Sequence, residues 1–418
     1  MLRAGYEEAK ILWRRQPIAA VLAEPDLDPE TRRKLETVLA TREFARDLGL
    51  EVDGSFGTLS YSDEGTNVIV VTGAQRTALV PYTWWFPIVG RVPYKGYFEA
   101  ASAKAEASSL ERKGYDTFVR SAPAFSTLGW LADPLLRHQL RHDEEFLVDL
   151  ILHELYHSTF YVKGQSAFNE SLATFAGHRG AIAFFRAHPE CAHPPGGDDL
   201  LARAEASWDD ALRFGAFVSR LATSLRDAYA RAGDPAQALA ARDALFAAAK
   251  AEYRTLPFVD GGFPGFVAEP LNNAVLLHYL LYGTDLDLFE AIYDTSGHDL
   301  REALAFIRDA AKPAPADPFG AVRRAFDAER GPASTAWRDS VGRPCGQSCS
   351  AASERSAERR AISVTTAVTT RALANASATA AVSIGVNGRV PTRCQKSRAT
   401  GHASRAITPA MSARQVTM

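Results

Sequence analysis

Residues 143–157 read Asp143-Glu-Glu-Phe-Leu-Val-Asp-Leu-Ile-Leu-His153-Glu154-Leu-Tyr-His157, and a second stretch reads Phe168-Asn169-Glu170-Ser171-Leu172-Ala173-Thr174. Acidic residues open the first stretch, which suits the positive end of a helix dipole. Phe146, Leu147, Leu150, Ile151 and Leu155 then recur at helical spacing. At roughly 100° per residue, His153 and His157 fall within about 40° of each other on one helix face, so both imidazoles can reach one ion. Glu154 flanks them, and Leu155 points away into a core. Two imidazoles and a carboxylate suit zinc, which then keeps a fourth position open for water. Glu154 is placed to take a proton from that water as general base and hand it to a leaving amine.

A third ligand is required. A metzincin would place His and Gly at positions that hold Lys163 and Phe160, and would need a Met-turn. The only methionines are Met1, Met411 and Met418, so that pattern is excluded. Glu170, on the following helix, is the preferred third ligand, with His178 as the alternative about 80° off that face. Thr174 and Gly177 share the Glu170 face, where small residues would let two helices approach. Thr174 is further expected to hydrogen-bond a ligating imidazole.

The rest of the body reads as 1–48 helical, 49–132 β-rich, 133–195 carrying the His and Glu helices, and 196–335 helical. Asn67 to Thr72 and Tyr115 to Arg120 are strand candidates, and Ala100 to Gly114 is a helix. Thr77 to Phe98 is dense in Val, Tyr, Trp and Phe, with Pro81, Pro87 and Pro93 limiting strand length. The chain of 418 residues is 46% apolar and 23% charged, with net charge -2, which excludes a polyanion binder by bulk charge. No apolar run is long enough to span a membrane. Four cysteines exclude a disulfide-built scaffold. Charge is split, however. Of the 47 Lys/Arg, 11 lie in 341–418, against only 2 of the 49 Asp/Glu, and that stretch has no aromatic residue. Residues 336–418 are therefore expected to be a disordered tail, and the abrupt change after Trp337 suggests out-of-frame translation.

His153-Glu154-x-x-His157 followed by Asn169-Glu170-x-x-Ala173 resembles the gluzincin clan of zinc metallopeptidases. More closely, the chain resembles a bacterial family of predicted aminopeptidases. That similarity also takes in Gly5-Tyr6, Arg15-Gln-Pro-Ile18, Val92-Pro-Tyr-Lys-Gly-Tyr-Phe98, Pro123 to Trp130, Asp133-Pro-Leu-Leu136 and Pro270-Leu-Asn-Asn-Ala274. It implies an α+β fold: a predominantly helical zincin-like core with a small β-sheet and an additional C-terminal helical domain. It also implies Zn2+ on His153, His157 and Glu170, with Glu154 catalytic, Asn169 beside the ligands, and a peptide substrate. A Gly-x-Met-Glu-Asn segment, which holds the substrate's free amine in better-known zinc aminopeptidases, has no counterpart.

Family members follow a lipoprotein signal. A start upstream of Met1 would thus give a lipid-anchored, periplasm-facing protein of the cell envelope, and a start at Met1 a cytoplasmic one. Tyr161, Tyr279 and Tyr282 are candidates for the donor to a developing oxyanion, with Tyr282 carried forward. Each is also explained by burial with its hydroxyl satisfied. The sequence of Thr117 to Ser126 shows a strand, and the resemblance to the clan implies that it is an edge strand able to pair with extended substrate. A catalytically silent peptide-binding protein on the same fold is the alternative, against which an intact Glu154 argues.

Overall fold

The computed structural model describes residues 13–61, 68–86, 90–121 and 132–330. The tail at 336–418, the turn at Ser62 to Gly65, the first twelve residues and the end of the edge strand at Ser126 lie outside them. In chain order the elements begin β1 (Arg15–Pro17), α1 (Ile18–Leu22), α2 (Pro29–Asp47), β2 (Thr58–Ser60) and β3 (Ile69–Gln75). Then come β4 (Trp84–Phe86), β5 (Gly90–Val92), β6 (Tyr94–Tyr97), α3 (Ala100–Arg112), β7 (Tyr115–Ser121) and β8 (Leu135–Leu136). The remainder is helical: α4 (Glu144–Thr159), α5 (Ser166–Ala187), α6 (Pro189–Ala192), α7 (Leu200–Arg231) and α8 (Pro235–Tyr253). Last are α9 (Gly265–Ala268), α10 (Asn273–Gly283), α11 (Leu286–Thr295), α12 (Leu300–Ala311) and α13 (Pro318–Arg330). The architecture is mostly helical with small sheets, as the α+β reading expects. No described helix is long and apolar enough to cross a membrane.

The N-terminal stretch corrects one expectation. It is not helical throughout, because Arg15–Pro17 pairs antiparallel with Thr58–Ser60. Pro17 stands at the N-cap of α1, and Pro29 is the first residue of α2, where its fixed φ suits a helix start. The prolines between Thr77 and Phe98 limit strand length as expected, leaving β4, β5 and β6 only three or four residues each. The sheet with order β6-β3-β7 is antiparallel on both sides of β3.

Helix α4 is the spine. Asp143 caps it, its carboxylate accepting from the Phe146 N–H at 3.1 Å, and Glu144 and Glu145 occupy the first turn. From Glu144 to His157 every residue is buried except Glu154. A helix enclosed on all sides needs neighbours on all sides. The main core cluster supplies them, running from Ile18 to Phe326 through α2, α4, α5, α7, α11, α12 and α13. A second cluster joins β7 to α7, α8 and α10.

Helix α5 lies close against α4, and glycine makes that approach possible. A Cβ on Gly177 would overlap the Asp149 carboxylate and stand 2.9 Å from the Asp149 carbonyl oxygen. Both obstacles belong to a buried helix and cannot swing aside. Gly177→Ala is therefore expected to cost about 1–3 kcal/mol of stability through forced separation of the two helices. Thermal unfolding against the wild-type chain measures it, and an unchanged midpoint would contradict this account of the packing.

Candidate metal centre

Two neighbouring helices deliver three ligand atoms to one point. On α4, His153 and His157 sit one turn apart, and their Nε2 atoms are 3.2 Å from each other. From α5, Glu170 Oε2 lies 3.5 Å from His153 Nε2 and 3.4 Å from His157 Nε2. Among the described residues these three form the group that could hold a metal ion. Both imidazoles are buried, and the Glu170 side chain is only 12% exposed. His178 takes no part; it is buried further along α5 with its ring against Trp208.

The connection between the helices fixes this convergence. Phe160 ends α4 in an extended conformation, and Gly164 turns the chain at φ +78°. Asn169 then clasps the loop, its Oδ1 accepting from the Val162 N–H at 2.8 Å and its Nδ2 donating to the Val162 carbonyl at 2.9 Å. Asn169 thus holds the backbone that leads into α5, where the sequence suggested a place beside the ligands. Thr174 is half-buried, and no hydrogen bond joins it to either imidazole. His157 Nδ1 is buried without a protein partner.

Charge in the site is organised around Glu170. Burial alone would raise its pKa, yet the His157 and His153 imidazoles outweigh burial and hold it well below the usual carboxylate range. His153 mirrors this. Burial opposes its charged form, but the hydrogen bond to Glu170, with the charges of Glu154 and Asp149, moves its pKa up. The site therefore favours a net negative carboxylate beside basic nitrogens, a set suited to a cation. Tyr94, on β6, donates to Glu170 Oε1 at 3.3 Å, and burial followed by the Glu170 charge raises its pKa. Glu154 makes no hydrogen bond to the described residues and stays partly open to solvent.

Opposite α4, strand β7 runs along α10 with successive inward residues meeting successive turns. The Asp116 carboxylate accepts from Asn273 N–H, the Phe118 ring lies 5.4 Å from that of His278, and Arg120 Nη2 donates to the Tyr282 hydroxyl at 3.3 Å. The Tyr282 ring is 6.4 Å from the His153 ring. Because its oxygen accepts from Arg120, its own proton is free to point elsewhere. Burial, then the Glu170 charge, raises its pKa, so the phenol keeps that proton.

A family model described as "Putative aminopeptidase" matches residues 1–316. The chain belongs to this aminopeptidase family. The match contains every residue of the site and ends before the basic tail. No curated protein matches the chain. No solved structure matches it.

Within this family member, Tyr279 is a core residue, its ring 5.0 Å from that of Phe214. Tyr161 falls beyond the end of α4, so its position is set by the loop and cannot be read from a helical wheel. Burial, then the Glu170 charge, raises its pKa. Sequence reasoning missed Tyr94 and Arg120 as site residues. Tyr94 stood only within a family-like stretch and Arg120 only within a strand. Their roles come from pairings across 76 and 162 residues of sequence.

Proposed function

We propose that the chain is a zinc-dependent peptidase of gluzincin type on a zincin-like core, acting on peptides as an aminopeptidase. The observation that carries this reading is the convergence of His153, His157 and Glu170 beside Glu154, the one residue between Glu144 and His157 that is not buried. Three ligands about 2.0–2.2 Å from a tetrahedral centre stand roughly 3.3–3.5 Å from one another. The measured separations of 3.2, 3.4 and 3.5 Å fit that spacing. Two imidazoles with one carboxylate also suit zinc better than calcium or magnesium, which prefer all-oxygen sets.

Zinc held there would supply Lewis acidity, making water nucleophilic near neutral pH and polarising the peptide carbonyl. The chain's own groups do the rest. Glu154 accepts the water's proton and returns it to the departing amine. Tyr282, kept protonated by burial and oriented by Arg120, donates toward the oxygen that gains charge. Tyr94 and the Asn169 clasp hold Glu170 and its loop in place. A silent binding protein would have no use for a carboxylate left unpaired and accessible at this position.

The test is metal analysis and a peptide-library digest on the purified chain. One zinc per chain, with cleavage lost to a chelator and restored by zinc, is the expected result. Progressive loss from the N-terminus marks the aminopeptidase, and internal cuts would reassign it as an endopeptidase. No bound metal and no cleavage would overturn the proposal.

A further inference from the structure

We propose that Arg120 is a carboxylate receptor in the substrate cleft, so that the favoured substrates are peptides carrying a carboxylate on the residue that leaves. Arg120 is only 6% exposed, and its Nε is buried without a hydrogen bond. Its two bonds are long, 3.4 Å to the Ser121 carbonyl and 3.3 Å to the Tyr282 hydroxyl. No described carboxylate lies within ion-pair distance of it. Three other enclosed arginines pair with carboxylates. Arg242 meets Asp116 at 3.1 Å and Asp243 at 2.9 Å, Arg203 meets Asp143 at 2.6 Å, and Arg179 meets Glu290.

An enclosed, unpaired guanidinium is costly, and its planar fork of donors matches a carboxylate. Its place says which carboxylate. Arg120 reaches the Tyr282 hydroxyl at 3.3 Å, and the Tyr282 ring lies 6.4 Å from the His153 ring beside the ligand cluster. One residue extends a peptide by about 3.5 Å. A carboxylate on the residue just past the cut bond would thus arrive beside Tyr282 while the carbonyl sits at the ligand cluster. Two sources share this chemistry: the free C-terminus of a dipeptide, and an Asp or Glu side chain in that position. The inference rests on the peptidase reading and names its substrate class.

Binding separates the inference from that reading. Calorimetry on the zinc-loaded Glu154→Gln chain would compare three probes: alanyl-alanine, alanyl-alanine amide and alanyl-aspartic α-amide. The dipeptide with a free carboxylate is expected to bind at least about tenfold tighter than its amide. If the aspartyl amide matches the dipeptide, either carboxylate serves, and if it matches the alanyl amide, the source is the C-terminus. Arg120→Met should bring the carboxylate-to-amide ratio toward one, and Arg120→Lys should keep part of it. A purely structural Arg120 that only props Tyr282 would weaken all three probes alike. Equal affinities in the Arg120 chain, or no binding of any probe, overturn the proposal, and this arm needs no arginine variant to fold. Failure of the wild-type chain to hydrolyse any peptide would instead strike the peptidase reading.

Discussion

Glu154→Gln is expected to lower kcat by about three to four orders of magnitude while leaving one zinc per chain. Gln keeps the shape of the side chain and removes its basicity, so the variant isolates the proton transfer. Glu154 is partly open and makes no hydrogen bond to the described residues, so the change leaves no buried partner stranded. Melting temperature should stay close to wild type. Because the proposed ligand atoms are on His153, His157 and Glu170 and not on Glu154, metal content should not change. The measurements are steady-state kinetics on a peptide that the wild-type chain cuts, paired with metal analysis of the same samples. A variant that retains wild-type turnover would refute the general-base role.

Glu170→Ala is expected to weaken zinc affinity at least about 100-fold, read by competition with a chromogenic chelator. The change removes the only anionic ligand and leaves two imidazoles facing each other at 3.2 Å. It also alters the pH dependence of whatever binding remains. In the native site the Glu170 hydrogen bond helps raise the His153 pKa above its ordinary value, so protons compete with metal up to a higher pH. Without Glu170 that part of the upward pull is lost, and only the Glu154 and Asp149 charges still oppose burial, which favours the neutral ring. Near neutral pH the remaining binding should therefore depend less steeply on pH, even as overall affinity falls. Wild-type affinity in this variant would remove Glu170 from the ligand set.

The two ligand helices were legible because the signal is local. Asp143 marks the start of α4, the apolar run to Leu155 marks its enclosure, and the four-residue step between His153 and His157 places both rings on one face. Glu170 was preferred over His178 on helical angle, and the two separate in space because eight residues carry His178 two turns away to Trp208. What failed to show were groups that depend on strand register. Tyr94 meets Glu170 only because β6 docks on β3 with Thr72 opposite Tyr94. Arg120 meets Tyr282 only because β7 climbs α10 in step. Asn169 illustrates a different limit. The sequence suggests a place beside the ligands, but an amide can bond side chain or backbone equally well, and in the fold it bonds the Val162 backbone. The end of α4 was likewise settled in the fold, where extended Phe160 moves Tyr161 off the helical wheel.

The clasp between Asn169 and Val162, together with burial of both helices in a shared core, has a consequence for how the proposed ion would be taken up. The receptacle is finished before any cation arrives. Apolar packing rather than coordination holds the helices at their working separation, so loading demands little ordering of the chain. Stripping the ion should leave a folded, reloadable shell, in contrast to small metal-nucleated modules that come apart under chelation. Occupancy would then follow the metal supply of the compartment, and the folded protein could wait empty until that supply appears.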